Sequence, residues 1–97
     1  MAMQSLVVFH MNGCPHCRTV VGEGGLCRGL DDLADVHEVE ASDALCQAVG
    51  VRSFPTIVLV NPLFAFAFDG ERTPEALRSF VLRKMAQTSG YLDEAGL

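Results

Sequence analysis

Leu6-Val7-Val8-Phe9-His10-Met11-Asn12-Gly13-Cys14-Pro15-His16-Cys17 passes from a continuous apolar run, through a turn signal, to two cysteines two residues apart. The run Leu6 to Phe9 reads as a buried central strand and Asn12-Gly13 as the turn that stops it. Pro15 suits the first turn of a helix, where its missing N–H costs nothing. A helix is therefore expected to begin at or beside Cys14, with Cys17 on its first turn. In that position Cys14 lies over unpaired backbone N–H groups and the positive end of the helix dipole, which favours thiolate over thiol. Cys17 then stands close enough to attack a mixed disulfide formed by Cys14, and the pair can cycle between dithiol and disulfide.

Downstream, Gly22, Gly24 and Gly25 interrupt the expected helix, each costing about 1 kcal/mol relative to Ala. Leu26, Leu30 and Leu33 resume helical spacing, so the sequence predicts a bent or divided helix. Val36 to Glu40 suits a short, partly exposed strand. Ser42 is placed to cap a short helix over Ala44 to Val49 that Gly50 stops. Thr56 to Val60 is a β-branched apolar strand, and Asn61-Pro62 turns it into a hairpin with Leu63 to Phe68. Phe64, Phe66 and Phe68 alternate and are expected on one packed face. Thr73-Pro74-Glu75 supplies a cap, a helix-starting proline and an acidic first turn; Leu77, Phe80, Val81 and Met85 follow on one helical face. The core is expected over residues 5–86, with 87–97 a loose tail. The order of elements implies a single α/β domain over residues 1–97, its mixed sheet covered by helices on both faces.

Composition agrees. The 97 residues are 49% apolar and 20% charged, an ordinary globular balance for one packed core. A net charge of -5 without a Lys/Arg cluster argues against nucleic acid and anionic membranes as partners. No basic N-terminal region or long apolar run reads as a signal peptide or a bilayer span, so an intracellular, cytoplasmic, soluble chain is expected. Four cysteines in that setting point to catalysis or metal binding rather than a disulfide framework.

The Cys pair beyond a strand, the segment Val51-Arg52-Ser53-Phe54-Pro55-Thr56 and the stretch Asp69 to Leu77 together resemble the thioredoxin-like superfamily, over about residues 5 to 85. The second segment looks like that family's cis-proline loop, and the third resembles the approach to the last helix of protein disulfide isomerase domains. The resemblance implies a mixed sheet of about four strands flanked by about three helices. It also implies a thiol-disulfide oxidoreductase acting on protein thiols or disulfides with an unidentified reductase or oxidant, as a monomer without an organic cofactor. Cys14 would attack, Cys17 would resolve, and Pro15 and His16 would complete the redox centre. Pro55 would be the cis-proline opposite the cysteines, and Phe54, with Gly13, would border the substrate.

Pro15-His16 is the dipeptide of DsbA-type oxidants, and a His beside the thiolate favours its ionised state. Gly13 stands where thioredoxins usually carry Trp, and Val8 where they carry a buried acid; Cys17 must lose its proton to water, a backbone-side route or another group. The short N-terminal lead is similar to glutaredoxin. Met11, however, stands where glutaredoxins place a basic residue, and no Gly-Gly pair follows the hairpin. A glutathione-linked reductase is the alternative, with glutathione expected to be a poor specific partner. Two further readings are a zinc site in which Cys14 and Cys17 are joined by Cys27, Cys46, His16 or a neighbouring His, and a silent binding module using the Phe54-Pro55 groove. Cys27 is expected in the core and Cys46 at the side or surface, on opposite faces of the sheet and unable to pair. His10 is read as a loop-proximal polar residue and His37 as solvent-facing; Glu38, Glu40 and Asp43 are read as solvated charges.

Overall fold

Strand β1 (Ser5–His10) pairs along both edges, parallel with β2 (Asp35–Glu40) and antiparallel with β3 (Thr56–Val60). Strand β4 (Ala65–Ala67) closes a sheet of order β2-β1-β3-β4. The computed structural model describes the backbone of residues 4–94 and the side chains of residues 4–88. Register assigns the faces: Val8 lies opposite Ile57 and Leu59 opposite Phe66. Leu6, Val8, Ile57 and Leu59 thus share the face that packs with Leu77, Phe80 and Val81. These come from helix α2 (Pro74–Glu94), which starts where Thr73 Oγ1 accepts the Ala76 N–H at 3.1 Å. The alternating phenylalanines follow the same logic. Phe66 and Phe68 pack against the core cluster, and the Phe68 ring meets Phe80 edge-on at 5.1 Å.

The element order is the expected one, and the mixed four-stranded sheet with helices matches the thioredoxin-like expectation apart from the helix count. Two α-helices form rather than about three. The divided helix expected after the cysteines is replaced by two 3-10 turns, Cys17–Thr19 and Arg28–Leu30. Gly22 and Gly24 adopt left-handed backbone angles, φ +77° and +78°. At Gly25 a Cβ would stand 2.5 Å from the Val21 carbonyl oxygen, so only glycine lets the chain double back there. The returning strand of this fold-back donates Leu26 N–H to Thr19 at 3.0 Å and Cys27 N–H to Val20 at 3.3 Å.

Glu38 secures that fold-back from β2, accepting the Gly22 N–H at 2.6 Å and pairing with Arg28 at 3.1 Å. Burial alone would raise its carboxyl, but these donors and the nearby His10 hold it below the usual carboxylate range. Neither Glu40 nor Asp43 is merely solvated either. Glu40 accepts both the N–H and the hydroxyl of Ser42. Because the Ser42 hydroxyl is engaged there, Asp43 caps helix α1 (Ala44–Val49) instead, accepting the Leu45 N–H at 2.9 Å. Gly50, at φ +77°, ends α1.

The tail also departs from expectation, since α2 continues past Gln87 to Glu94. Thr88 is buried and its hydroxyl donates to the Lys84 and Met85 carbonyls, so a residue read as loose is anchored within the helix. Residues 95–97 lie outside the described residues.

Replacing Gly25 with Ala is expected to destabilise the fold by about 1–3 kcal/mol, as overpacking against backbone does. Gly29→Ala, with nothing within 4 Å of the added methyl, should be neutral or slightly stabilising. Urea denaturation of the two variants checks the contrast.

Candidate active site

The turn that leaves β1 sets the position of Cys14. Gly13 adopts φ +81°, a left-handed angle that disfavours a bulky side chain such as Trp. Cys14 N–H then donates to Met11 at 3.2 Å, which closes the turn. Cys14 is 9% exposed and Cys17 2%. Pro15 and His16, between them, are exposed.

Cys17 N–H donates to Cys14 Sγ at 3.3 Å. The Cys14 thiol is held below its ordinary value first by a hydrogen bond from the Cys17 side chain. Backbone N–H groups of Cys17 and His16 and the charge of Arg72 act in the same direction and outweigh burial. Cys17 is pushed up, by burial first and then by donating to Cys14. Cys14 is therefore the more readily ionised of the two thiols and Cys17 the less. No carboxylate is among the groups acting on Cys17, and Val8 is wholly buried in the apolar core.

Two expectations about the cause of this asymmetry change. A single 3-10 turn, not an α-helix, follows Cys14, so local N–H groups do what a long helix dipole was expected to do. His16 acts on Cys14 through its main-chain N–H rather than its imidazole. Arg72, which the sequence places only in the approach to the last helix, contributes charge to both thiols. Its sequence position beyond β4 held no signal of that proximity.

Across from the cysteines, the Phe54–Pro55 peptide bond is cis, and the Phe54 carbonyl oxygen lies 3.8 Å from Cys14 Sγ. Thr56 Oγ1 donates to the Ser53 carbonyl at 2.6 Å and ties the loop to the start of β3. Cys14, Cys17, Phe54 and Pro55, four residues from two distant segments, thus meet at one end of the sheet. Met11 is exposed beside them.

The remaining cysteines stand apart. All four are free thiols. Cys27 is fully buried in the main core, and burial, reinforced by Glu38, pushes its thiol up to about 12. Cys46, expected at the side or surface, is the buried residue of α1, and its thiol donates to the Glu40 carbonyl at 3.5 Å. Among the described residues no three His, Cys, Asp or Glu side chains cluster as a metal would require. His10 ends β1 opposite Glu40 in the parallel register, and His37 is exposed on β2. No described helix is long and apolar enough to cross a membrane.

No family model matches the chain. Among curated proteins it is similar to DnaJ homolog subfamily C member 10 of Rattus norvegicus, at 28% identity over 86 residues, 84% of this chain and 11% of the relative. Among solved structures it resembles the J-Trx1 fragment of ERdj5, with a TM-score of 0.72 and 24% identity over 86% of this chain and 43% of that one. The first thioredoxin domain of mouse protein disulfide-isomerase A4 superposes with a TM-score of 0.68 and 25% identity, covering 84% and 62%. The first two thioredoxin domains of Saccharomyces cerevisiae Eps1p give 0.71 and 24%, covering 91% and 37%. The chain thus spans about a tenth of the curated relative and less than two thirds of each of these structures.

The hydrogen bond from Cys17 makes a specific forecast for Cys14. In Cys17→Ser a hydroxyl still donates to the thiolate, whereas in Cys17→Ala only the backbone N–H groups do. Iodoacetamide alkylation of Cys14 should therefore turn on at lower pH in Cys17→Ser than in Cys17→Ala. Because Arg72 favours the thiolate, Arg72→Ala should move the alkylation profile of the intact pair to higher pH. Rate against pH for the variants is the measurement; coincident profiles would remove the Cys17 side-chain donor and the Arg72 charge from the account.

Proposed function

We propose that this domain of thioredoxin-like fold is a thiol-disulfide oxidoreductase, exchanging the Cys14–Cys17 pair with protein thiols or disulfides. The observation that carries the reading is the position of Cys14 Sγ. It receives hydrogen bonds from Cys17 and lies 3.8 Å from the carbonyl that precedes cis-Pro55. A sulfur whose ionisation is favoured, next to a carbonyl that borders the loop, is arranged to attack a sulfur presented by an extended segment there.

In the reducing direction Cys14 thiolate attacks one sulfur of a substrate disulfide, forms the mixed disulfide and releases the other substrate sulfur as thiolate. Cys17 then gives its proton to water or to that thiolate and attacks Cys14 Sγ. The Cys14–Cys17 disulfide forms, the second substrate sulfur leaves, and two electrons have passed to the substrate. The oxidising direction is the same sequence reversed. Electrons reside in the cysteine pair, so no organic cofactor is invoked, and a separate dithiol or disulfide partner must reset the pair. Pro15 and Gly13 shape the turn, while Phe54 and Pro55 border the substrate. His16 supplies a main-chain donor to Cys14. With Met11 uncharged at the rim, protein disulfides are preferred over glutathione as substrate.

The roles of the two cysteines separate on trapping. Cys17→Ser, incubated with a disulfide-bonded protein, should accumulate a mixed disulfide on non-reducing gels, since Cys14 attacks and nothing resolves the product. Cys14→Ser should trap little, because the remaining thiol is buried and burial disfavours its ionisation. Equal trapping, or trapping by Cys14→Ser alone, would reverse the roles, and trapping by neither would favour a zinc site or a silent binding module.

A further inference from the structure

The two faces of the sheet are covered unequally. One packs against the long helix α2; the other carries only α1, six residues long. Beside α1 an open groove of about 520 Å³ remains, floored by Val7, Val58 and Val60 and walled by Leu45 and Val49. Leu45 and Val49 are 44% and 56% exposed. Ala65, a small residue, stands at the far side, so the floor stays shallow. Arg52 is the one charged residue of the lining, and no described residue forms an ion pair with it. Neither cysteine of the redox pair, nor Phe54 or Pro55, lines the groove.

We propose that this groove docks an amphipathic helix of a partner protein, its apolar stripe on the valine floor and a carboxylate at its end against Arg52. Backbone satisfaction selects a helix. The floor is made of side chains, and β3 is paired on both edges, by β1 and β4. An extended segment laid there would find no ladder for its N–H and C=O groups, whereas a helix satisfies its own. The exposed guanidinium at the edge of the groove favours an acidic residue, since a carboxylate opposite it is electrostatically complementary. A second copy of this chain suits the groove poorly. Its α2 already buries Leu77, Phe80 and Val81 in its own core, and the exposed residues of its α1 are the groove wall itself. The acidic chain, at -5, also repels its copy.

The probe is a synthetic capped peptide of about 15 residues, long enough to hold helix, with Leu at i, i+3, i+4 and i+7 on an Ala/Gln background and one Glu beyond the stripe. A second peptide carries Lys in place of that Glu. Titrated into isotope-labelled protein, the Glu peptide should shift the amides of Val7, Leu45, Val49 and Val58 saturably. Arg52→Glu should weaken the Glu peptide about tenfold and restore the Lys peptide by a similar factor, as a swapped charge pair does. Val49→Lys, at an exposed site that leaves the fold intact, should weaken both peptides while Cys14 alkylation stays unchanged. Absence of groove shifts, or equal binding of the two peptides to the native chain, would overturn the proposal. So would shifts that track protein concentration without peptide, which would assign the groove to a second copy, or saturation by decanoate alone, which would assign it to a small amphiphile.

Discussion

The parallel pairing of β1 with β2 is the constraint from which the rest follows. Parallel neighbours need a crossover that leaves one end of β1 and returns to the other, and this crossover carries both Cys14 and Cys17. A regular helix is the common solution. Here the glycines make a different one, in which the chain doubles back at Gly25 and a carboxylate on β2 grips the result through Gly22 and Arg28. Glu38 therefore joins the second strand to the segment that leads away from Cys17, and the geometry of the dithiol rests partly on a strand that never touches it.

Shortening the helix changes where the electrostatic asymmetry of the thiols comes from. A macrodipole acts through many aligned peptides, whereas Cys14 is served by two nearby N–H groups, one thiol donor and a distant arginine brought close by the fold. Such local donors depend on the placement of single residues. Burial first, and then the hydrogen bond it gives to Cys14, push the Cys17 thiol up, while the same hydrogen bond lowers Cys14, so the two ionisations are linked through one contact.

The sheet's own alternation explains why its two faces differ. Even positions of β1 and odd positions of β3 send Leu, Val and Ile into the core under α2, while the opposite positions send Val7, Val58 and Val60 toward α1. Both sets are apolar, as befits strands meant to be covered on both sides. Only one side has a helix of matching length, and the unpaired guanidinium of Arg52 sits on the side that does not.

Local chemistry made much of this legible in the sequence. Apolar runs bounded by Asn-Gly and Asn-Pro marked β1 and the hairpin, Thr73-Pro74-Glu75 marked the start of α2, Gly50 marked the end of α1, and the spacing of Cys14 and Cys17 marked the site, because each signal acts within a few residues. What tertiary structure decided was every interaction between groups far apart in the chain. Whether the glycines bend a helix or abolish it depends on Glu38, more than ten residues on. Whether Ser42 or Asp43 caps α1 depends on Glu40 claiming the serine. Arg72 reaches the thiols, and Phe54 meets Cys14, only once β3 and β4 are paired in register. Sequence periodicity reports which side chains are to be buried, but only the packed chain determines which polar groups are left to find one another, since an unpaired buried donor or acceptor is satisfied by whatever the fold brings within reach.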